Sequence, residues 1–144
     1  MKKTLVVCLI MCSWMSTTFA QEVKDGPIIS FVEEVHDYGE VIYNGDGHCE
    51  FEFTNTGNIP LIISRAQGTC GCTVPSWPEE PIAPGEAATI RVKYDTKRPG
   101  DFNKSVTIYS NAINNGAMVI RIKGKILPKP SSGTPVNSRG PSTN

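Results

Sequence analysis

Apolar and polar side chains alternate with a period of two along much of the chain. In residues 48–54, Cys49, Phe51 and Phe53 alternate with His48, Glu50, Glu52 and Thr54. In residues 88–94, Ala88, Ile90, Val92 and Tyr94 alternate with Thr89, Arg91 and Lys93. Successive side chains of a strand point to opposite faces, so each stretch predicts a strand with one buried face. Residues 28–35, 60–66 and 106–110 are short and rich in β-branched residues, and Met118, Ile120 and Ile122 alternate with Val119, Arg121 and Lys123. No window carries an apolar helical stripe. Turn chemistry separates the runs: Asn44-Gly45-Asp46-Gly47, Thr56-Gly57-Asn58, Pro84-Gly85, Arg98-Pro99-Gly100 and Asn114-Asn115-Gly116. Glycine and asparagine tolerate positive φ at such points, and proline presets φ. About seven strands in roughly a hundred residues predict an all-β fold, a single immunoglobulin-like antiparallel β-sandwich. A small barrel is the nearest competitor. Trp77 follows Cys72 in a proline-rich stretch, so the antibody arrangement of distant cysteines around a tryptophan is absent.

The two ends of the chain have a different composition. Lys2 and Lys3 precede an apolar run, residues 5–14, and then Ser16, Thr17, Thr18, Phe19 and Ala20. A basic start, a short apolar stretch and small residues before a cleavage point are the layout of a signal peptide. The run is shorter than the roughly 20 residues of a spanning helix, which predicts export rather than a permanent anchor. Val7 and Met11 stand before Cys8 and Cys12 where a lipoprotein signal carries a small residue. Cleavage is therefore expected after Ala20, releasing a mature chain without a transmembrane helix into the periplasm or onto the cell surface. Residues 128–144 hold four prolines, four serines and two glycines, with Val136 the sole large aliphatic residue. Such a segment buries too little to fold. The expected organisation is a signal peptide over 1–20, a lead-in over 21–27, the sandwich over 28–127 and a disordered tail over 128–144.

Of 144 residues, 14 are basic and 14 acidic, and loss of Lys2 and Lys3 leaves 12 basic. A nucleic-acid binder of this size carries a basic excess, so no nucleic-acid partner is expected. The sequence has no nucleotide-binding loop, no zincin motif and no nucleophile with a recognisable base partner. Glu79 and Glu80 are adjacent, and adjacent side chains of an extended chain point apart, which argues against acid–base work. Lys97, Arg98 and Lys104 suit solvated turns better than a site for anionic glycans or headgroups.

Several motifs occur in a fixed order: His36-Asp37-Tyr38-Gly39, Phe51-Glu52-Phe53-Thr54-Asn55-Thr56-Gly57 with Pro60-Leu61, Cys70-Gly71-Cys72-Thr73, Pro84-Gly85 and Tyr109-Ser110-Asn111. Together they resemble the bacterial family called domain of unknown function 1573, common in exported Bacteroidetes proteins, over residues 35–125. The resemblance implies an immunoglobulin-like sandwich akin to the modules of pilus chaperones and cilium-associated proteins, and no established activity. Cys49 lies outside that pattern. A complete pilus chaperone would need two such domains, and the chain has room for one.

Cys49, Cys70 and Cys72 remain after removal of the signal peptide, an odd number for an oxidising compartment. The chain-entropy relation gives roughly 3.4 kcal/mol for a loop of about 22 residues closed from Cys49 to Cys70 or Cys72. It gives roughly 1.6 kcal/mol for the small Cys70–Cys72 ring, the profile of a reducible bond rather than a staple. Exported cysteines are most often structural. Cys49 also suits a small buried hydrophobe. A thiolate pair at Cys70 and Cys72 would alternatively hold copper, or zinc with further ligands, although His36 and His48 lack metal-site spacing to it. Pro75, Trp77 and Pro78 form a rigid loop beside this motif that suits an interaction surface, or a cap in which Trp77 covers the core. The expected function is a non-enzymatic, exported module without cofactors. It would bind an envelope protein or surface polymer through sheet edges or residues 70–81. The alternative is thiol redox or copper and zinc handling at Cys70-Gly71-Cys72.

Overall fold

A computed structural model describes residues 25–131; the expected signal peptide and most of the expected tail lie outside them. Eight strands follow in order: β1 (Ile29–Phe31), β2 (Val35–Val41), β3 (His48–Asn55), β4 (Ile63–Gly68), β5 (Thr73–Ser76), β6 (Ala87–Tyr94), β7 (Gly100–Ser110) and β8 (Ala117–Ile126). They form two four-stranded sheets, β1-β3-β6-β5 and β2-β8-β7-β4. The described residues contain no helix. The fold is the expected all-β immunoglobulin-like sandwich, with differences of detail. Strand pairing is antiparallel except between β2 and β8, which run parallel. The apolar run 28–35 is divided between sheets, because the chain leaves the first sheet after Phe31 and joins the second at Val35, exposing Val32 at 71%.

The alternating positions bury as their period requires. Cys49, Phe51 and Phe53 of β3 and Ile90, Val92 and Tyr94 of β6 face Val106 and Ile108 of β7 and Ile120 and Ile122 of β8 across one core. Aromatic contacts join the layers: the Tyr94 ring stacks on Phe102 at 4.0 Å between centroids, and Tyr38 lies 5.7 Å from Phe102. Gly124 makes room here, since a side chain there would press on Tyr38, Phe102 and the Gly39 carbonyl.

Asn55, at the end of β3, is fully buried. Its Nδ2 donates to the carbonyls of Ile59 and Ile82 at 2.8 and 3.0 Å, and its Oδ1 accepts from the Gly57 and Ile28 N–H groups at 3.0 and 3.3 Å. These saturate the amide's two donors and two lone pairs.

Three aspartates shape turns by one device. Asp37, Asp46 and Asp95 accept a hydrogen bond from the backbone N–H two residues on, at Gly39, His48 and Lys97. At β2 this stabilises a bulge in which Gly39 takes a left-handed φ of 61°. Those backbone bonds, assisted by Lys123, His48 and Arg98 respectively, hold each carboxyl below its ordinary value of 3.8.

Replacing Asn55 by Ala removes the side-chain partner of the Ile28 and Gly57 N–H groups and the Ile59 carbonyl, while the Ile82 carbonyl keeps the Leu61 N–H, and urea unfolding is expected to show a loss of about 3 kcal/mol. Asn55→Asp will not restore it, because its oxygens cannot donate to the Ile59 and Ile82 carbonyls. The lowered aspartate values stabilise the fold fully above their unfolded value and lose this as pH falls through the folded ones. The urea midpoint will therefore decline below about pH 4, and Asp95→Asn will shallow that decline without altering the slope near pH 6.

Candidate functional site

Residues 69–72 carry the chain from β4, at the edge of one sheet, to β5, at the edge of the other. Three backbone hydrogen bonds hold this crossing: Thr69 N–H to Ser105 O at 3.0 Å, Thr73 N–H to Cys70 O at 3.2 Å and Asp95 N–H to Cys72 O at 2.9 Å. Gly68 permits the close approach, since a side chain there would collide with the Thr73 carbonyl. Gly71 caps the turn in open space.

Cys70 and Cys72 are joined in a disulfide with their Cα atoms 5.2 Å apart. Cys72 is 7% exposed and packs into the core, whereas Cys70 is only partly buried. The Thr73 hydroxyl touches both sulfurs, at 3.7 and 3.8 Å. A bond from Cys49 would close a longer loop with a larger entropic gain, and the register explains why none forms. Cys49 pairs across β6 with Val92, and Val92 pairs on its other side with Pro75. Two strand spacings, roughly 10 Å, separate Cys49 from the line of β5, beyond disulfide reach. Cys49 is a free, buried thiol. Burial pushes its pKa up, against a smaller lowering from a hydrogen bond with Tyr38.

The expected interaction loop is in part a strand. Pro75 belongs to β5, while Trp77 and Pro78 follow it, half-buried. The hydrogen bonds from Asp95 N–H to Cys72 O and from Tyr94 N–H to Gly47 O set which groups of β5 meet β6. With Val74 opposite Lys93 and Ser76 opposite Arg91, these residues and Cys72 pair inward, and Thr73 and Pro75 turn their backbone groups to the free edge. Pro75 has no N–H to offer there, and that of Thr73 is used within the turn. Proline is tolerated in a sheet at such an edge position.

Two shallow clefts flank this strand. One, of about 560 Å³, has Cys72, Val74, Lys93 and Asp95 on one side and Asp46 and His48 on the other. The second, of about 380 Å³, is lined by Ser76, Trp77, Pro78, Ala88, Thr89 and Arg91. His48, whose Nδ1 lies 2.8 Å from Asp46 Oδ1, lines the same cleft as Cys72 but from across β6, two strand spacings away. His36 instead packs between the sheets beside Tyr38 and Phe51. Among the described residues, no three His, Cys, Asp or Glu side chains converge as a metal site. Glu79, Glu80, Lys97 and Arg98 are exposed, and Arg98 pairs with Asp95 at 3.1 Å.

Solved structures share this architecture. A protein of unknown function from Porphyromonas gingivalis W83 superposes with a TM-score of 0.61 at 16% identity, over 76% of this chain and 51% of its own. The VesB protease of Vibrio cholerae superposes at 0.58 and 15% identity, over 67% of this chain and 31% of its own. PapD-like domain 7 of human CEP192 gives 0.56 at 9% identity, over 79% and 97%. Identities this low speak for the fold alone. The chain spans about half of the Porphyromonas protein and less than a third of the protease. No curated protein matches it. The family model covers all eight strands, from residue 29 to residue 126, and the chain accordingly belongs to the family described as a protein of unknown function, DUF1573.

Proposed function

We propose that the chain is an exported, non-enzymatic immunoglobulin-like module of the bacterial envelope. It binds another envelope protein or a surface polymer at the flank formed by residues 70–81. The observation that carries this reading is the make-up of β5. Its free edge has Pro75 where a backbone donor would stand, and the adjoining cleft places Trp77 and Pro78 beside Ser76, Thr89 and Arg91. An edge without donors does not recruit a further strand by backbone pairing. Recognition there runs through side chains: the Trp77 ring supplies apolar area, and Arg91 and Ser76 supply donors at its border. Arg91 is engaged with Glu50 at 2.9 Å but remains exposed. The basic start and short apolar run of the first twenty residues support export.

Trp77→Ala is expected to weaken capture of the envelope partner at least about tenfold and, because Trp77 also packs against the core, to lower the urea midpoint, whereas Arg91→Ala, at an exposed position, is expected to weaken capture with the midpoint little moved. Cross-linking in the native envelope followed by mass spectrometry measures this. Recovery of the wild-type monomer alone would remove the proposal. Pro75→Val restores an outward N–H to β5. That variant is expected to self-associate at concentrations where the wild type elutes as a single smaller species in size-exclusion chromatography.

A further inference from the structure

The binding reading does not use the disulfide, and the structure gives the bond little to hold. It closes a ring between residues only two apart. The crossing it decorates is already tied to β6 and β7 by the Asp95–Cys72 and Thr69–Ser105 backbone hydrogen bonds, and the turn is closed by the Thr73–Cys70 bond. None of the three passes through a sulfur. Opening the disulfide therefore removes no connection between the sheets.

The two sulfurs are also unequal. Cys72 is packed in the core at 7% exposure, and Cys70 is partly open to solvent on a turn whose next residue, Gly71, has no atom near its missing side chain. The Thr73 hydroxyl, 3.7 Å from the Cys70 sulfur and 3.8 Å from the Cys72 sulfur, is placed to donate to a thiolate at either, so the inequality rests on exposure. The third cysteine does not compete, because Cys49 is buried in β3 and its thiol is held protonated by burial.

We propose that Cys70–Cys72 is an exchangeable disulfide that oxidises the dithiol of a partner protein, with Cys70 the sulfur that is attacked. A partner thiolate attacks Cys70 Sγ and forms an intermolecular disulfide as the Cys70–Cys72 bond breaks. The electron pair leaves on Cys72 Sγ, beside the Thr73 hydroxyl, and this thiolate takes a proton from solvent. The partner's second thiolate then attacks its own sulfur in the intermolecular bond and forms the partner's disulfide. Cys70 leaves as a thiolate and is protonated. Two electrons and two protons pass from the partner's thiols to the Cys70–Cys72 pair.

The test uses the folded, processed chain and a reduced synthetic peptide with two cysteines. Acid quenching and peptide mapping are expected to show the peptide closing its disulfide while Cys70 and Cys72 gain two hydrogens, with the circular dichroism of the reduced protein unchanged. Oxidised glutathione is then added to reduced Cys72→Ala and Cys70→Ala variants. The adduct at Cys70 should form at least about tenfold faster than the adduct at Cys72. A peptide that stays reduced, or a reduced wild-type chain that loses its fold, overturns the proposal. Equal adduct rates overturn the assignment of Cys70. Should either variant fail to fold, the wild-type exchange decides alone.

Discussion

The side-chain amide of Asn55 joins three segments that no single strand pairing would bring together. It holds the entry to β1 through the Ile28 N–H, closes the turn after β3 through Gly57 and Ile59, and fixes the Ile82 carbonyl. The backbone of the same residue binds Gly85 and Glu86, which lead into β6. Asn55 itself is fully buried, so its amide must find these partners within the protein. β1 is only three residues long and would not stay paired on strand hydrogen bonds alone. On its outer side a second amide, from Asn114, binds both the N–H and the carbonyl of Ile29, at 3.2 and 2.8 Å. The first sheet is thus completed at one edge by two asparagine side chains acting as lengths of backbone.

The other edges are treated by different means. β2 bulges at Gly39, where Asp37 takes the N–H, and carries Asp37 and Glu40 along its line. β4 changes register between Ile63 and Arg65, and the residue before it in the fold, Leu61, is occupied by a bridge to Ile82. β5 has Pro75. Unpaired strand edges invite pairing with other chains, and bulges, charges and prolines are the usual means of blunting them. A sandwich finished in this way presents side chains rather than backbone to a partner. The flank from Cys70 to Pro78 fits that description, since its half-buried Trp77, its exposed Val74 and its disulfide turn are the chemically distinctive groups there.

Much of the fold was legible because it is written in local alternation. β3 and β6 each carry a run of apolar residues at every second position, and any sheet that buries one face must bury those. The turns at Asn44, Gly85 and Gly100 announced themselves through residues that accept positive φ, which all three adopt. β5 was not legible. Four residues containing a proline, followed by Trp77 and Pro78, look like a loop until β6 lies alongside and the proline is seen to occupy the one side of the strand that needs no donor. The division of residues 28–35 between sheets was hidden for a related reason: an apolar run states that it will be buried, not in which layer.

The amino-acid sequence by itself determined the strand-rich character, the faces that go inward, the positions of the tight turns and the presence of a constrained Cys-Gly-Cys motif. All of these depend on residues within a few positions of one another, where backbone sterics and side-chain periodicity act directly. Only the tertiary structure decided the parallel pairing of β2 with β8, the distance that keeps Cys49 from the other cysteines, the gathering of Asp46, Lys93 and Asp95 around one cleft and the saturation of Asn55. Each of these is a relation between segments far apart along the chain, and its energy comes from shared burial and from hydrogen bonds that exist only once the two sheets have closed on a common core.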